Sequence, residues 1–492
     1  MQTDKVLCCA ILASLIGVFS ATPLDDYINK ADPSYDYTVL EDYTRRVDGV
    51  YTVYLLNMTS QTWLDSTLVD RSVWWHYLSV TIPDEIRYPD LGFMYMTGGK
   101  NTDSPPDPLQ DAEILLSSIA AAGVGCVGST LRQIPNQPIV FTEDPKNKSR
   151  SEDAAIAYTW NHFIVDDPNS PEYLLQLPMT KAAIRGFDTM KDWSHKINPA
   201  VNLTKFVPAG GSKRGQVTWL TGVVDKRVMA MAPIVFDLLN MVENLHHHYR
   251  SLGGWTLAFN DYYEEDITDN LDDDNTQLLA AIIDPFEYRD RLTMPKFVVS
   301  GSNDQFFIPD DSHYYFDQMQ GPTYMRIVPN VEHSMTLHYR TLLKSITAFM
   351  VAVKENWELP TLSWKRYENA SHAIIDFKTN QVPTEIKAWK ARSLIRGRRD
   401  WRLMVAREPG NPDDISINPS LYRSFDVTQV SASEYKVAFH RPYSGWQAFL
   451  IEASYPAPNN TTVIFTTEMH ITPNGAWCVP DCQGEECKGI IV

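Results

Sequence analysis

The chain has 492 residues, 44% of them hydrophobic and 21% charged, with a formal net charge of -18. That length and apolar content suit a large globular protein of more than one domain and exclude a disordered chain. The acidic balance argues against nucleic acid or an anionic membrane surface as the main partner, because both would repel the average surface.

Lys5 precedes an apolar run from Val6 to Phe19, and cleavage after Ser20 would fit, so residues 1–20 read as a signal peptide. The run is too short to span a bilayer comfortably, and nothing later approaches a membrane span. The expectation is therefore a secreted protein without a membrane anchor. Asn-x-Ser/Thr sequons at Asn57, Asn147, Asn202, Asn369, Asn459 and Asn460 are then candidate glycan sites on surface loops, the last two sharing one glycan.

From residue 21 to 355 short apolar runs alternate with amphipathic ones, as in a mostly parallel sheet covered by helices. Leu91 to Met96 predicts a strand ending at Gly98-Gly99, Asp111 to Ala122 a helix, and Val124 to Leu131 the next strand. Ala154 to Phe163 and Met179 to Trp193 predict helices. The run Val207-Pro208-Ala209-Gly210-Gly211-Ser212-Lys213-Arg214-Gly215 then leads from a strand into a helix through glycines that bracket one serine. This is the pattern of a nucleophile elbow, although the second glycine comes one place late, with Arg214 where it would usually stand. A glycine-rich turn without chemistry would also fit. After the elbow helix, Val228 to Phe236 predicts another strand.

Between about 238 and 284 the periodicity gives way to aromatic and acidic residues, which predicts a cap over the cleft or else a solvated excursion. His246-His247-His248 lacks an i, i+4 partner, so no metal site is expected there. Phe297 to Ser300 reads as a buried strand followed by Gly301-Ser302-Asn303-Asp304. Asp310 to Met319 predicts a helix and Met325 to Val328 a strand that leads to His333. Ser212, Asp304 and His333 thus follow the chain order of an α/β-hydrolase triad, with Asp284, Asp310 and His338 as competitors. The backbone N–H of Lys213 and one from Gly98 or Gly99 would form the oxyanion hole. Lys213 and Arg214 would also make the helix N-terminus electropositive, favouring an anionic substrate or simply a stabilised oxyanion.

From 356 to 475 alternating strand patterns predict an all-β, sandwich-like domain. The RGRR run at 396–399 reads as a solvated strand or turn. The remaining tail, 476–492, reads as an appendage; it holds Cys478, Cys482 and Cys487, which predict a small disulfide loop of unspecified pairing. Cys126, in an apolar run, reads as a buried small hydrophobe. No fourth ligand follows the tail cysteines at zinc spacing, and Gly98-Gly99 and Gly253-Gly254 lack the spacing of a phosphate loop, so neither metal nor cofactor is expected.

The segments Gly210 to Gly215, Thr218 to Thr221, Asp225 to Val228, Met294 to Lys296, Gly301 to Phe307 and Pro329 to Ser334 together resemble the PhoPQ-activated pathogenicity-related protein family, which includes secreted autocrine proliferation repressors. The resemblance implies an α/β-hydrolase fold with a cap insertion, a following β-rich domain, and the triad on Ser212, Asp304 and His333. The Gly-x-Ser-x-x-Gly elbow also resembles that of glucuronoyl methylesterases. Two functions follow: a secreted serine hydrolase acting on a small-molecule ester or a peptide-like amide, or a secreted signal repressing proliferation, in which the fold serves to bind a cell-surface receptor.

Overall fold

A computed structural model describes residues 21–492. The expected signal peptide and its cleavage site lie outside the described residues. Strands β1 (Tyr51–Thr62), β2 (Val73–Pro83), β3 (Leu91–Met96), β4 (Val127–Leu131), β5 (Lys205–Gly211), β6 (Ala232–Ile234), β7 (Lys296–Gly301) and β8 (Thr323–Val328) form one sheet in the order β1-β2-β4-β3-β5-β6-β7-β8. Two short N-terminal strands, Asp36–Val39 and Arg45–Val47, pair with β1. From β4 to β8 all neighbours are parallel, whereas β2 runs antiparallel to β1 and β4, and the two N-terminal strands run antiparallel to β1. Parallel strands need crossovers, and the chain supplies helices for them. This is an α/β-hydrolase fold.

Local chemistry explains the elements. In α1 (Ala112–Val124) the Asp111 side chain accepts from the N–H groups of Glu113 and Ile114, and Gly125 ends the helix at φ 83°. Helices α2 (Glu152–Asn161) and α3 (Gln176–Ile197) precede β5, and α4 (Lys213–Val224) follows it. The region 238–284 folds into helices α5 (Met241–Leu252), α6 (Asn260–Glu264) and α7 (Asp274–Ile283), and α8 (Tyr339–Lys354) follows β8.

Two predicted elements differ. The strand expected over Val228 to Phe236 contracts to Ala232–Ile234, because Pro233 has no N–H to donate and Val235 leaves the strand at φ 43°. The helix expected over Asp310 to Met319 is two short 3₁₀ turns, Asp311–Tyr314 and Phe316–Gln318. Tyr315, at φ -142°, separates them and directs its hydroxyl to Asp237.

The C-terminal part carries two antiparallel sheets. One joins Leu362–Glu368, His372–Thr379, Glu434–His440 and Thr428–Gln429; the other centres on Glu385–Arg392, Gln447–Ala457 and Thr461–Thr466. Their facing residues, Ile375 and Phe377 against Phe449 and Ile451, share one core with Phe349 of α8 and Phe297 of β7. The edge strand β8 is covered there, since Ile327 N–H donates to Thr466 Oγ1 at 3.0 Å. The RGRR run is not wholly solvated: Arg399 is buried and pairs with Asp310. The tail is likewise packed and not a loose appendage. Ile491 bridges to Trp255 and Arg402 donates to the Val492 carbonyl at 3.1 Å.

Candidate active site

Ser212 sits between β5 and α4 with φ 57° and ψ -129°, a conformation that L-residues rarely adopt and that a strand-to-helix elbow imposes. Its N–H donates to Ile234 O at 2.9 Å, and its carbonyl accepts from Gly215 and Gln216, opening the helix. The glycines are required by close approach. A Cβ on Gly210 would lie 2.6 Å from Arg214 O, and one on Gly215 would lie 2.8 Å from Ile234 O. The late glycine is thus where α4 crosses β6. Arg214, in the usual glycine position, directs its guanidinium to the Ile134 carbonyl and to Glu152.

Glu152, the first residue of α2, was not legible as part of the site. Its carboxylate receives Arg214 at two bonds of 2.7 Å and Lys213 Nζ at 2.9 Å, while Lys213 also reaches Asp153 at 3.0 Å. Burial opposes its charge, but the two cations override this and hold Glu152 well below the usual carboxylate range. The expected electropositive spot at the helix N-terminus is therefore corrected: both cations are neutralised inside the protein.

Asp304 follows β7 and is 2% exposed. It accepts from the Phe306 N–H at 2.7 Å, and both its oxygens lie 2.8 Å from His333 Nδ1. A carboxylate only accepts, so Nδ1 carries the proton and Nε2 is left as the basic nitrogen. The His333 ring packs 4.4 Å from the Phe306 ring, and its backbone N–H donates to Gln305 Oε1 at 2.9 Å. Ser212 and His333 line the same cavity, bounded by α1 and α8, with Tyr95 in its wall. A second, smaller cavity opens on the other side of Ser212, roofed by residues of the 238–284 region.

The competitors are committed elsewhere. Asp284 accepts from Met241 N–H at 2.7 Å and Phe286 N–H at 2.9 Å, Asp310 pairs with Arg399 and His247, and His338 precedes α8. Gly98 and Gly99 line neither cavity. Gly98 lies against the Arg214 guanidinium, with its carbonyl accepting from the Gln133 N–H. Lys213, at the start of α4, lines the smaller cavity, and the first N–H groups of a helix have no partner within it.

Of the tail cysteines, Cys482 and Cys487 form a disulfide, whereas Cys478 is a free thiol donating to Ser251 O at 2.5 Å. Cys126 is free and buried, and burial pushes its thiol up to about 12. The three consecutive histidines diverge: His246 lies between Asp272 and Asp481, His247 faces Asp310, and His248 accepts from Thr256 N–H. His246 also approaches the two disulfide sulfurs, but bonded sulfur is no thiolate ligand. Asn147, Asn202, Asn369, Asn459 and Asn460 are exposed; Asn57 lies half-buried within β1, with its Oδ1 enclosed. Among the described residues no helix is long and apolar enough to cross a membrane.

The sequence matches the PhoPQ-activated pathogenicity-related protein family over residues 24–402. It is 35% identical over 487 residues to autocrine proliferation repressor protein A of Dictyostelium discoideum, covering 96% of this chain and 94% of that one. Similar solved structures include an acetyl xylan esterase from Paenibacillus sp. R4, at 12% identity and TM-score 0.45, covering 68% of this chain and 92% of that one. Another is a glucuronoyl esterase from Solibacter usitatus, at 13% identity and TM-score 0.38, covering 67% and 88%.

Proposed function

The chain belongs to the PhoPQ-activated pathogenicity-related protein family, and from that premise we propose that it is a secreted serine hydrolase cleaving an ester, or a peptide-like amide, through Ser212, His333 and Asp304. The observation that carries this reading is the Asp304–His333 pair at 2.8 Å, with His333 and the strained Ser212 lining one cavity. His333 Nε2 takes the Ser212 hydroxyl proton as Oγ bonds to the substrate carbonyl carbon, and the Lys213 N–H receives the developing oxyanion. The bond to the leaving group then breaks and His333 gives it the proton. Water, deprotonated by the same nitrogen, releases the acyl group as acid and restores Ser212. Asp304 fixes the tautomer and stabilises the imidazolium throughout.

A fluorophosphonate probe tests this directly: wild type is labelled at Ser212, while Ser212→Ala and His333→Ala variants of verified fold are not. An unlabelled, folded wild type would refute it.

The relative's name supports a second reading, a secreted signal that restrains proliferation by binding a receptor. A Ser212→Ala protein that still represses proliferation would assign that signal to the scaffold; one that folds but does not repress would assign it to catalysis.

A further inference from the structure

The two cavities that meet at Ser212 differ in their walls, and His333 lines only the larger one. Because His333 must protonate the departing group, the leaving group lies on its side, in the larger cavity. The acyl side of the scissile bond then faces the other, much smaller cavity, into which the first residue of α4, Lys213, also opens.

That second cavity is walled by aromatic rings in sequence. Trp160 meets Tyr262 at 5.2 Å, Tyr262 meets Phe259 at 5.7 Å, and Phe259 meets Phe306 at 6.1 Å, next to His333. Leu245, Ile267 and Leu271 close the roof. The polar side chains in this wall are engaged with protein partners, Thr268 Oγ1 donating to Asp269 at 3.3 Å. The Tyr262 hydroxyl donates to Asp153 at 2.9 Å, and Asp153 also holds Lys213. Gln216 donates to Ile283 O at 3.1 Å and accepts from Gln176 at 3.2 Å; Trp160 Nε1 donates to Gln176 at 3.2 Å. A hydroxyl, amide or carboxylate entering here would lose water and compete for wall groups that already hold protein partners.

We propose that the natural substrate carries a compact, apolar acyl group, aromatic or branched, that is seated in this cavity. The proposal rests on the hydrolase reading and sharpens it: it selects esters of apolar acids over peptides and over carboxylate-bearing acyl groups.

The test holds the leaving group constant. With the mature chain acting on p-nitrophenyl esters, kcat/KM for the phenylacetate exceeds that for the acetate at least tenfold, and the hemisuccinate falls at least tenfold below the butyrate. Leu271→Trp, which fills the roof, collapses the phenylacetate-to-acetate ratio by about tenfold. Leu271→Ala moves the preference to longer acyl chains. Each ratio is read within one protein, so lost folded material cancels. A protein that is labelled at Ser212 and cleaves acetate but shows no acyl preference, or prefers hemisuccinate, overturns the acyl assignment and leaves the hydrolase reading standing. A folded protein with neither labelling nor turnover overturns both.

Discussion

Arg399→Met removes the cation of a buried pair that joins the C-terminal part to the loop after Asp304. Arg399 is 5% exposed and Asp310 1%, and the guanidinium meets both carboxylate oxygens. His247 approaches Asp310 at 3.2 Å from α5. Burial works against the Asp310 charge, but Arg399 and His247 overcome it and hold the carboxyl well below its usual range. Leaving such a charge buried without its partner costs about 3–5 kcal/mol. Urea unfolding followed by intrinsic fluorescence at pH 8 reads the loss. The loss narrows toward pH 5, because a buried carboxylate without its cation takes up a proton, whereas the wild-type pair stays charged. Adding Asp310→Asn recovers part of it, with a coupling of about 2 kcal/mol or more in the double-mutant cycle. Arg407→Met is the comparison: its pair with Asp414 spans 3.0 Å but is 63% and 42% exposed, and its removal costs under about 1 kcal/mol. An Arg399→Met protein as stable as Arg407→Met would refute the buried pair.

Gly215→Ala places a methyl 2.8 Å from Ile234 O and from Phe236 Cβ, so it costs about 1–3 kcal/mol and slows probe labelling, whereas Gly211→Ala, whose nearest neighbour lies 3.9 Å away, stays within about 0.5 kcal/mol in the same unfolding assay. Asp237 is raised to about 7, chiefly by burial, with Asp304 adding repulsion against the Tyr315 and Ser300 hydrogen bonds. A raised carboxyl loses stability as pH rises from its unfolded value near 4 to 7, so Asp237→Asn gains about 4 kcal/mol relative to wild type between pH 4 and pH 8. Parallel unfolding midpoints at the two pH values would contradict this. Peptide mapping without reductant finds Cys482 joined to Cys487 and Cys478 open to alkylation; a bridge to Cys478 would overturn that pairing.

What the sequence made legible was local. Asp304 and His333 each end a strand-like run, and strand ends in a parallel sheet converge on one edge, so chain order alone anticipated that the two would meet. Gly210, Ser212 and Gly215 announced a strained turn for the same reason. Glu152 was invisible because its role depends on α2 approaching Arg214 of α4 from 62 residues away in the chain, with nothing in its neighbourhood to mark it. Arg399 sat in a basic run that looked solvated, and only the docking of the C-terminal part against Asp310 buries it. The predicted helix at 310 failed where Tyr315 turns inward to Asp237, a tertiary contact that outweighs periodicity.

The most direct measurement is fluorophosphonate labelling of the folded protein, with the modified peptide identified by mass spectrometry and the reaction followed across Ser212→Ala, His333→Ala and Asp304→Asn. An activated nucleophile predicts one adduct, on Ser212, abolished in the first two variants and strongly slowed in the third. An adduct elsewhere, or labelling indifferent to His333, would contradict the assignment of these residues to one catalytic unit.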